Sequence, residues 1–114
     1  MRQPSVHEAA LVTQLVAKLD KDAREQVLAD LANAKARPAS DDGSRIAFDI
    51  EGYERPAYRG QHAFGCEARM LDHDNAPLSV VLYADENGRL LELEFIRWEA
   101  GDLLAPRFDT LTLI

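Results

Sequence analysis

Cys66 and His62 are the residues whose types could supply a thiolate nucleophile and its base. They fall on one face of a predicted strand, together with Phe64 and Met70. Four residues of extended chain separate their positions by about 13 Å, which is too far for a Cys–His pair. We therefore predict that Cys66 is a small buried side chain of the core rather than a reactive thiol.

Glu92 and Glu94 form the second arrangement that could do chemistry. Carboxylates about 6.5 Å apart along a strand could act as a general acid and a general base. The same alternation is typical of any solvated strand face, and nothing in the sequence indicates a cleft around them. Ser5 and Ser44 lack the G-x-S-x-G setting of a nucleophilic serine and fit a helix cap and a turn. We predict no catalytic residue, and the chain is not expected to be an enzyme.

Asp72, His73 and Asp74 place three possible metal ligands in consecutive positions. A calcium loop also needs a central glycine and a distant bidentate glutamate, and neither stands at the required offset. The other histidines, His7 and His62, belong to different predicted elements, and no H-x-x-x-H or C-x-x-C spacing occurs. The segment is therefore predicted to be a turn, and no metal or cofactor is expected.

Two helices are predicted at the start of the chain. Ser5 and Glu8 have the S-x-x-E spacing of a capping box, which satisfies free amides at a helix start. A second acid-x-x-Glu start signal runs from Asp22 to Glu25, and Asn33 suits a helix C-terminus. The first helix carries one apolar stripe, which is formed by Leu11, Val12, Leu15, Val16 and Leu19. Asp20 and Lys21 are expected to be the short link between the helices.

The apolar period changes from 3.6 to 2 after Pro38. Strands are predicted at 46–50, 61–70, 78–84 and 91–95, and Leu111 and Leu113 indicate either a short last strand or a tail. Asn87-Gly88 lies between two alternating segments and is a strong signal for a hairpin. The strand 78–84 is apolar on both faces and should therefore be central in the sheet. A bulge is expected near Ile96, where the alternation changes phase. The prediction is one α+β domain over 1–114, with two N-terminal helices (about 6–32) on one face of an antiparallel sheet of four to five strands (about 34–113).

The charge is distributed unevenly along the chain. The net charge is −7; residues 1–40 carry six Lys/Arg and five Asp/Glu, whereas residues 41–114 carry seven and fifteen. Such a surface repels nucleic acid and anionic membranes and attracts basic proteins. The alternative is that the acidic residues only keep the domain soluble. One cysteine forms no internal disulfide, and the N-terminus lacks a signal-peptide pattern, so a cytoplasmic location is expected.

Acidic turns and aromatic residues together predict a partner-binding surface. Trp and Tyr dominate the energetics of many protein interfaces, and acids around them would select a basic partner. Trp98, Tyr53, Tyr58 and Tyr83 are the candidate aromatic anchors, and the alternative for Trp98 is a position in the core, where a single tryptophan is found more often. The predicted contact residues are Asp72, Asp74, Asp85, Glu86, Glu92, Glu94 and Trp98.

Three segments resemble a family of short bacterial proteins of unassigned function. They are the hairpin Leu82-Tyr83-Ala84-Asp85 to Gly88-Arg89-Leu90-Leu91-Glu92-Leu93-Glu94-Phe95, the helix segment 24–31, and the turn Asp42-Gly43-Ser44. The resemblance implies a compact domain with a helix pair followed by a sheet, and it implies no site residues. Some relatives have a cysteine- and glycine-rich turn at the position of Asp41-Asp42-Gly43, and this departure removes any indication of a metal or redox role.

Three functions are compatible with these observations. The favoured one is a non-enzymatic inhibitor, such as an immunity protein that neutralises a basic toxin. The second is a small enzyme whose site involves His62, Cys66 or the paired glutamates. The third is a self-assembling structural module, for instance a homodimer formed through a sheet edge or the region of Trp98. The sequence leaves monomer and homodimer open.

Overall fold

The fold was obtained as a computed structural model, which describes residues 1–57 and 60–114. Helix α1 spans Val6–Val16 and helix α2 spans Lys21–Ala32. The capping box of α1 is confirmed: the Glu8 amide donates to Ser5 Oγ at 3.0 Å, and the Ser5 amide donates to Glu8 Oε1 at 2.8 Å. The predicted start of α2 at Asp22 is wrong, because Asp20 is the N-cap and accepts the Ala23 amide at 2.9 Å. Asn33 caps the C-terminus, as predicted.

The described residues form one antiparallel sheet of six strands rather than four to five. The strands are β1 Ala34–Pro38, β2 Arg45–Ile50, β3 His62–Leu71, β4 Pro77–Ala84, β5 Leu90–Arg97 and β6 Arg107–Leu113. The strand that the sequence did not predict is β1. Its inward residues are alanines, Ala34 and Ala36, which bury little apolar area each and give a weak period-2 pattern.

The strand order is β1-β2-β5-β4-β3-β6, which confirms the central position of β4. The Asn-Gly hairpin joins β4 to β5, and Gly88 adopts the positive φ of 75° that this turn requires. The predicted bulge near Ile96 is wrong, because Ile96 pairs in register with Ser79. The register of this hairpin shifts at its other end, between Tyr83 and Ala84.

The core lies between the helices and one face of the sheet. Leu11, Leu15 and Val27 of the helices join the inward side chains of the strands in one cluster, and Cys66 belongs to it, as predicted. The other face of the sheet has no helix over it among the residues that the structure describes, and it is called the open face below. Its residues come from all six strands: Lys35, Arg37, Arg45, Ala47, Asp49, Glu67, Arg69, Ser79, Val81, Tyr83, Glu92, Glu94, Ile96 and Thr112.

The two edges of the sheet differ. The backbone of Arg2 makes a bridge to Ala36 of β1, with N–O distances of 3.0 and 2.6 Å. At the other edge, β6 pairs with β3 alone among the residues that the structure describes. No helix in those residues is long and apolar enough to cross a membrane.

Candidate partner-binding surface

Three connections lie together at one end of the sheet, here called the turn end: residues 39–44, 72–76 and 98–106. They join β1 to β2, β3 to β4, and β5 to β6. The strand register brings them together. The Phe95 amide donates to the Ser44 carbonyl at 2.7 Å, and the Trp98 amide donates to the Pro77 carbonyl at 3.1 Å. Residues far apart in sequence therefore form one surface.

Asp72 is the buried centre of the turn end, with no exposed surface. Its carboxylate accepts the amides of His73 at 2.9 Å, Leu104 at 2.9 Å and Ala105 at 2.7 Å, and it accepts Arg97 Nη1 at 2.7 Å. Burial opposes the ionised form, but these donors outweigh it and hold the pKa of Asp72 below its usual value. One carboxylate therefore fixes connection 98–106 against connection 72–76.

Asp42 fixes the same connection from the other side. Its carboxylate accepts the Leu103 amide at 3.0 Å, the Ser44 amide at 3.0 Å and the Ser40 hydroxyl at 3.1 Å. The Leu103 amide and these serine donors hold the pKa of Asp42 well below its usual range. Residues 103–105 of connection 98–106 are therefore held by two carboxylates, from two neighbouring connections, that accept their backbone amides.

Arg97 joins the buried and exposed acids of the turn end. Beyond its contact with Asp72, its Nη1 and Nη2 donate to the two oxygens of Asp74 at 2.9 and 2.7 Å. The Arg97 guanidinium lowers the pKa of Asp74 to about 2, and the same contacts raise the pKa of Arg97 above its usual value. Asp74 is exposed, but its charge is compensated by this arginine.

Trp98 is the main exposed aromatic residue of the turn end, at 60% exposure. Its indole Nε1 donates to Ser79 Oγ at 2.8 Å, and the Arg69 guanidinium carbon lies 5.1 Å from the ring centroid. These contacts restrict the side chain while they leave most of its surface open to solvent. Leu104 in the same connection is 57% exposed. Fixed apolar side chains of this kind are typical anchors of protein interfaces.

The turn end is strongly acidic. Its three connections contain no Lys or Arg and contain six carboxylates: Asp41, Asp42, Asp72, Asp74, Glu99 and Asp102. Arg97 and Arg107, at the end of β5 and the start of β6, leave a net charge of −4, and Arg45, which follows connection 39–44, is paired with Glu92 on the open face. The open face, in contrast, is balanced: four Lys/Arg stand against four Asp/Glu, and cross-strand or same-strand ion pairs join Arg37 to Asp49, Arg45 to Glu92 and Arg69 to Glu67.

The predicted contact residues fall into three separate places. Asp72, Asp74 and Trp98 lie at the turn end. Asp85 and Glu86 lie in the β4–β5 turn at the opposite end of β4, about 26 Å away by strand rise. Glu92 and Glu94 lie on the open face between them.

Asp85 is buried within a polar cluster rather than presented to solvent. It accepts the Tyr53 hydroxyl at 2.7 Å and Arg55 Nη1 at 2.9 Å. Tyr53 in turn lies under the Arg89 guanidinium, 4.1 Å from its ring centroid, and Arg89 donates to buried Asp30 of α2 at 2.6 Å. The cluster connects α2 to the hairpin, and its carboxylates Asp30 and Asp85 are paired with Arg89 and Arg55. Glu86 is exposed in the same turn.

The paired glutamates are also engaged by neighbours. Glu92 is buried and accepts Arg45 Nη2 at 3.2 Å, while Glu94 accepts the Tyr83 hydroxyl at 3.0 Å. Burial, followed by the contact with Glu94, raises the pKa of Tyr83. Tyr58 lies outside the described residues, so its predicted anchor role stays a prediction.

The residues considered for catalysis are dispersed. Cys66 is buried in the core, and burial raises the pKa of its thiol. His62 is exposed near the start of β3, and His7 stacks on Phe108 with ring centroids 4.8 Å apart. Within the part of the chain that the structure describes, no group of His, Cys, Asp or Glu could hold a metal ion.

Sequence reasoning missed five residues of the turn end: Asp41, Asp42, Glu99, Asp102 and Leu104. The sequence did indicate that 41–44 and 100–102 are turns. Their proximity depends on the pairing of β2 with β5, which places Ser44 beside Phe95 and which no local pattern of the sequence indicates. A long-range strand pairing therefore concealed the larger part of the acidic surface.

No curated protein and no solved structure matches the chain significantly. One family model matches residues 1–106, which is most of the 114-residue chain, and the family is described as a domain of unknown function, DUF6984. Its description assigns no activity or site, and the resemblance to an uncharacterised family is confirmed. On this match, the chain belongs to the DUF6984 family.

Proposed function

We propose that this protein is a non-enzymatic binding domain that docks a basic protein at the turn end. The best candidate role is that of an inhibitor, such as an immunity protein that neutralises a basic toxin domain. The observation that carries the proposal is Trp98, a fixed and 60% exposed tryptophan within an acidic surface. Trp is among the residues most enriched at the energetic centres of protein interfaces.

The charge of the turn end selects the class of partner. A net charge of −4 repels phosphate backbones and anionic lipid, whereas it attracts a cationic protein surface and speeds its association. Toxins that act on nucleic acid need positive charge to hold phosphate. A surface that combines acids with Trp98 and Leu104 would cover such a site by both charge and apolar contact.

The internal contacts of the turn end support a binding role. Asp42 and Asp72 hold connection 98–106 through three backbone amides, those of Leu103, Leu104 and Ala105. A connection that is ordered before the partner arrives loses less conformational entropy on binding. Asp72 itself is buried, so in this proposal it positions the surface and does not touch the partner.

In this proposal the acids that contact the partner are Asp41, Glu99, Asp102 and Asp74, all at the turn end. Asp74 attracts the partner least, because Arg97 compensates its charge. Glu92 and Glu94 contribute less long-range attraction, since the open face on which they lie is balanced in charge. Asp85 and Glu86 lie at the opposite end and could contact only a partner large enough to span the sheet.

The proposal is tested by a tagged pull-down from the native host at low and moderate salt, followed by measurement of the affinity for any recovered partner. The reversed variant carries Asp41→Lys, Glu99→Lys and Asp102→Lys. The matched control carries Glu25→Lys, Glu51→Lys and Glu54→Lys, which are exposed acids away from the turn end. We expect at least a tenfold loss of affinity in the first variant and a much smaller loss in the control.

Two results would contradict the proposal. Equal losses in the two variants would mean that only net charge matters, and an affinity that is insensitive to salt would remove the electrostatic argument. Trp98→Ala provides a separate check on the apolar anchor, because truncation of an interface hot spot costs about 2 kcal/mol or more.

Self-assembly is a second candidate function, and the observation that favours it is the uncovered edge at β6. The β1 edge is bridged by Arg2, whereas β6 has no second neighbour among the described residues. An edge strand can pair with the same strand of a second copy. Light scattering at high protein concentration tests this directly, and a monomer under those conditions would exclude it.

A further inference from the structure

Asn87 and Gly88, in the turn of the β4–β5 hairpin, are neighbours that can react with each other. A main-chain amide nitrogen can attack the side-chain carbonyl carbon of the asparagine before it, and a glycine leaves that nitrogen uncrowded because it has no side chain. The chain has three asparagines, and the other two, Asn33 and Asn75, are each followed by alanine. Asn87 and Gly88 are both exposed, so water reaches the products of the reaction.

The reaction needs water and no other reactant. The Gly88 nitrogen loses its proton and bonds to Cγ of Asn87, and Nδ2 leaves as ammonia, which gives a succinimide ring. Water then opens the ring at either carbonyl. One opening gives aspartate at position 87, and the other gives isoaspartate, in which the main chain runs through the side-chain carbon and gains a CH₂ group. Asparagine is accordingly counted among the thermolabile residues.

The native turn holds both reacting groups by hydrogen bonds. The Gly88 amide donates to the Asp85 carbonyl at 3.0 Å, so its proton is engaged. Nδ2 of Asn87, the atom that must leave, donates to the Tyr53 hydroxyl oxygen at 3.1 Å. Ring closure breaks both contacts, because the first group loses its proton and the second departs as ammonia.

Tyr53 directs its own proton to Asp85 and not to Asn87. Its hydroxyl donates to Asp85 Oδ2 at 2.7 Å, and burial, followed by this contact, raises the pKa of Tyr53. The hydroxyl oxygen is therefore an acceptor toward Asn87. A carboxylate at position 87 would meet that oxygen with no proton between them. Conversion of Asn87 would thus weaken the polar cluster that connects α2 to the hairpin.

We propose that Asn87-Gly88 is a site of spontaneous deamidation, and that the contact between Asn87 and Tyr53 slows the reaction in the folded protein. The modification adds one negative charge to the hairpin turn and loosens the contact of the hairpin with α2. Asn87 lies at the opposite end of β4 from the turn end, so this inference does not depend on the proposed function.

The test measures how fast Asn87 is converted when the full chain is incubated in mildly alkaline buffer. Samples are digested with pepsin at low pH, where ring closure is slow, and tandem mass spectrometry assigns the converted position. In guanidinium chloride we expect Asn87 to be converted faster than Asn33 and Asn75. In the folded protein, the conversion of Asn87 should be slower than in denaturant.

Tyr53→Phe removes the hydroxyl that accepts Nδ2 of Asn87. It should speed the conversion in the folded protein by about twofold to about tenfold, which corresponds to the net effect of one hydrogen bond. Tyr83→Phe is the matched control, because its hydroxyl also contacts a carboxylate, that of Glu94, but on the open face. The control should keep the wild-type rate when folded, and all three proteins should share one rate in denaturant. Far-UV circular dichroism confirms that the variants are folded.

A third variant separates the hydrogen bond from general loosening of the cluster. Arg55 donates to Asp85 at 2.9 Å, so Arg55→Lys disturbs the cluster but keeps the Tyr53 hydroxyl. We expect a smaller acceleration in Arg55→Lys than in Tyr53→Phe. Equal acceleration in the two variants would overturn the role of the Tyr53 contact.

Two further results would overturn the inference. If Asn87 is converted no faster than Asn33 and Asn75 in denaturant, Asn87-Gly88 is not a preferred site. If the folded and denatured wild-type proteins convert Asn87 at the same rate, the native turn does not slow the reaction. Neither result bears on the binding of a basic protein at the turn end.

Discussion

Replacement of Asp72 by Asn is expected to destabilise the fold strongly despite the near-identical size of the side chain. Oδ1 accepts the amides of His73 and Ala105, and Oδ2 accepts the Leu104 amide and Arg97. An amide side chain has one oxygen, so its NH₂ group must face two donors in either orientation. Each buried donor left without an acceptor costs about 1–3 kcal/mol, so we expect a loss of about 3 kcal/mol.

Urea denaturation at pH 7, followed by far-UV circular dichroism, measures this loss. Asp74→Asn is the matched control, because Asp74 contacts the same Arg97 but is exposed. An exposed ion pair contributes about 0–1 kcal/mol, so the control should unfold close to the wild-type midpoint. The loss of about 3 kcal/mol in Asp72→Asn is a large part of the 5–15 kcal/mol that is typical of a domain.

The same variant has a predictable pH dependence. The pKa of folded Asp72 lies below that of an unfolded aspartate, which is about 3.9. Its ionised form therefore contributes stability that is fully present above about pH 4 and is lost as the pH falls through the folded-state pKa. The gap between wild type and Asp72→Asn should narrow on acidification. An Asp72→Asn protein that unfolds at the wild-type midpoint at pH 7 would refute the assigned role of this carboxylate.

Three further outcomes are expected. Ser5→Ala should lower the free energy of unfolding by about 1 kcal/mol in urea titrations, because α1 loses its capping hydroxyl; an unchanged midpoint would contradict the cap. Gly88→Ala should lower the free energy of unfolding by about 1–2 kcal/mol in the same assay, because its φ of 75° is unfavourable for alanine; the added methyl group meets nothing within 4 Å, so no steric clash adds to this cost. The Cys66 thiol should react slowly with a disulfide reagent in the native state and rapidly in denaturant, and fast native reaction would contradict its burial.

The fold could largely be predicted from the sequence because its signals are local. Capping at Ser5, the apolar stripe of α1 and the Asn-Gly hairpin each act within a few residues. The start of α2 was predicted two residues too late, because Asp22 gives a start signal similar to that of the actual N-cap, Asp20. Strand β1 was missed because Ala34 and Ala36 are small, so its stability comes from pairing with β2 and from the cover of the helices rather than from its own pattern.

The candidate surface was predicted only in part, because it depends on long-range pairing. Trp98 and Asp74 were identified from residue type and turn position, and both are exposed. Asp85 and Glu92 were expected on a surface, but each is buried beside an arginine that is distant in sequence. Counting charge along the chain does not reveal which carboxylates are paired with arginine, and that pairing decides where an acidic surface lies.

The position of Trp98 has a practical consequence for spectroscopy. It is the single tryptophan of the chain, and its ring is largely in contact with water in the native state. Its emission should therefore resemble that of a solvated indole both before and after unfolding, and it would be a weak reporter of denaturation. A partner that covers the turn end would remove water from the ring and shift the emission to shorter wavelength. Fluorescence would thus follow association, while circular dichroism follows folding, and one unlabelled sample would separate the two processes.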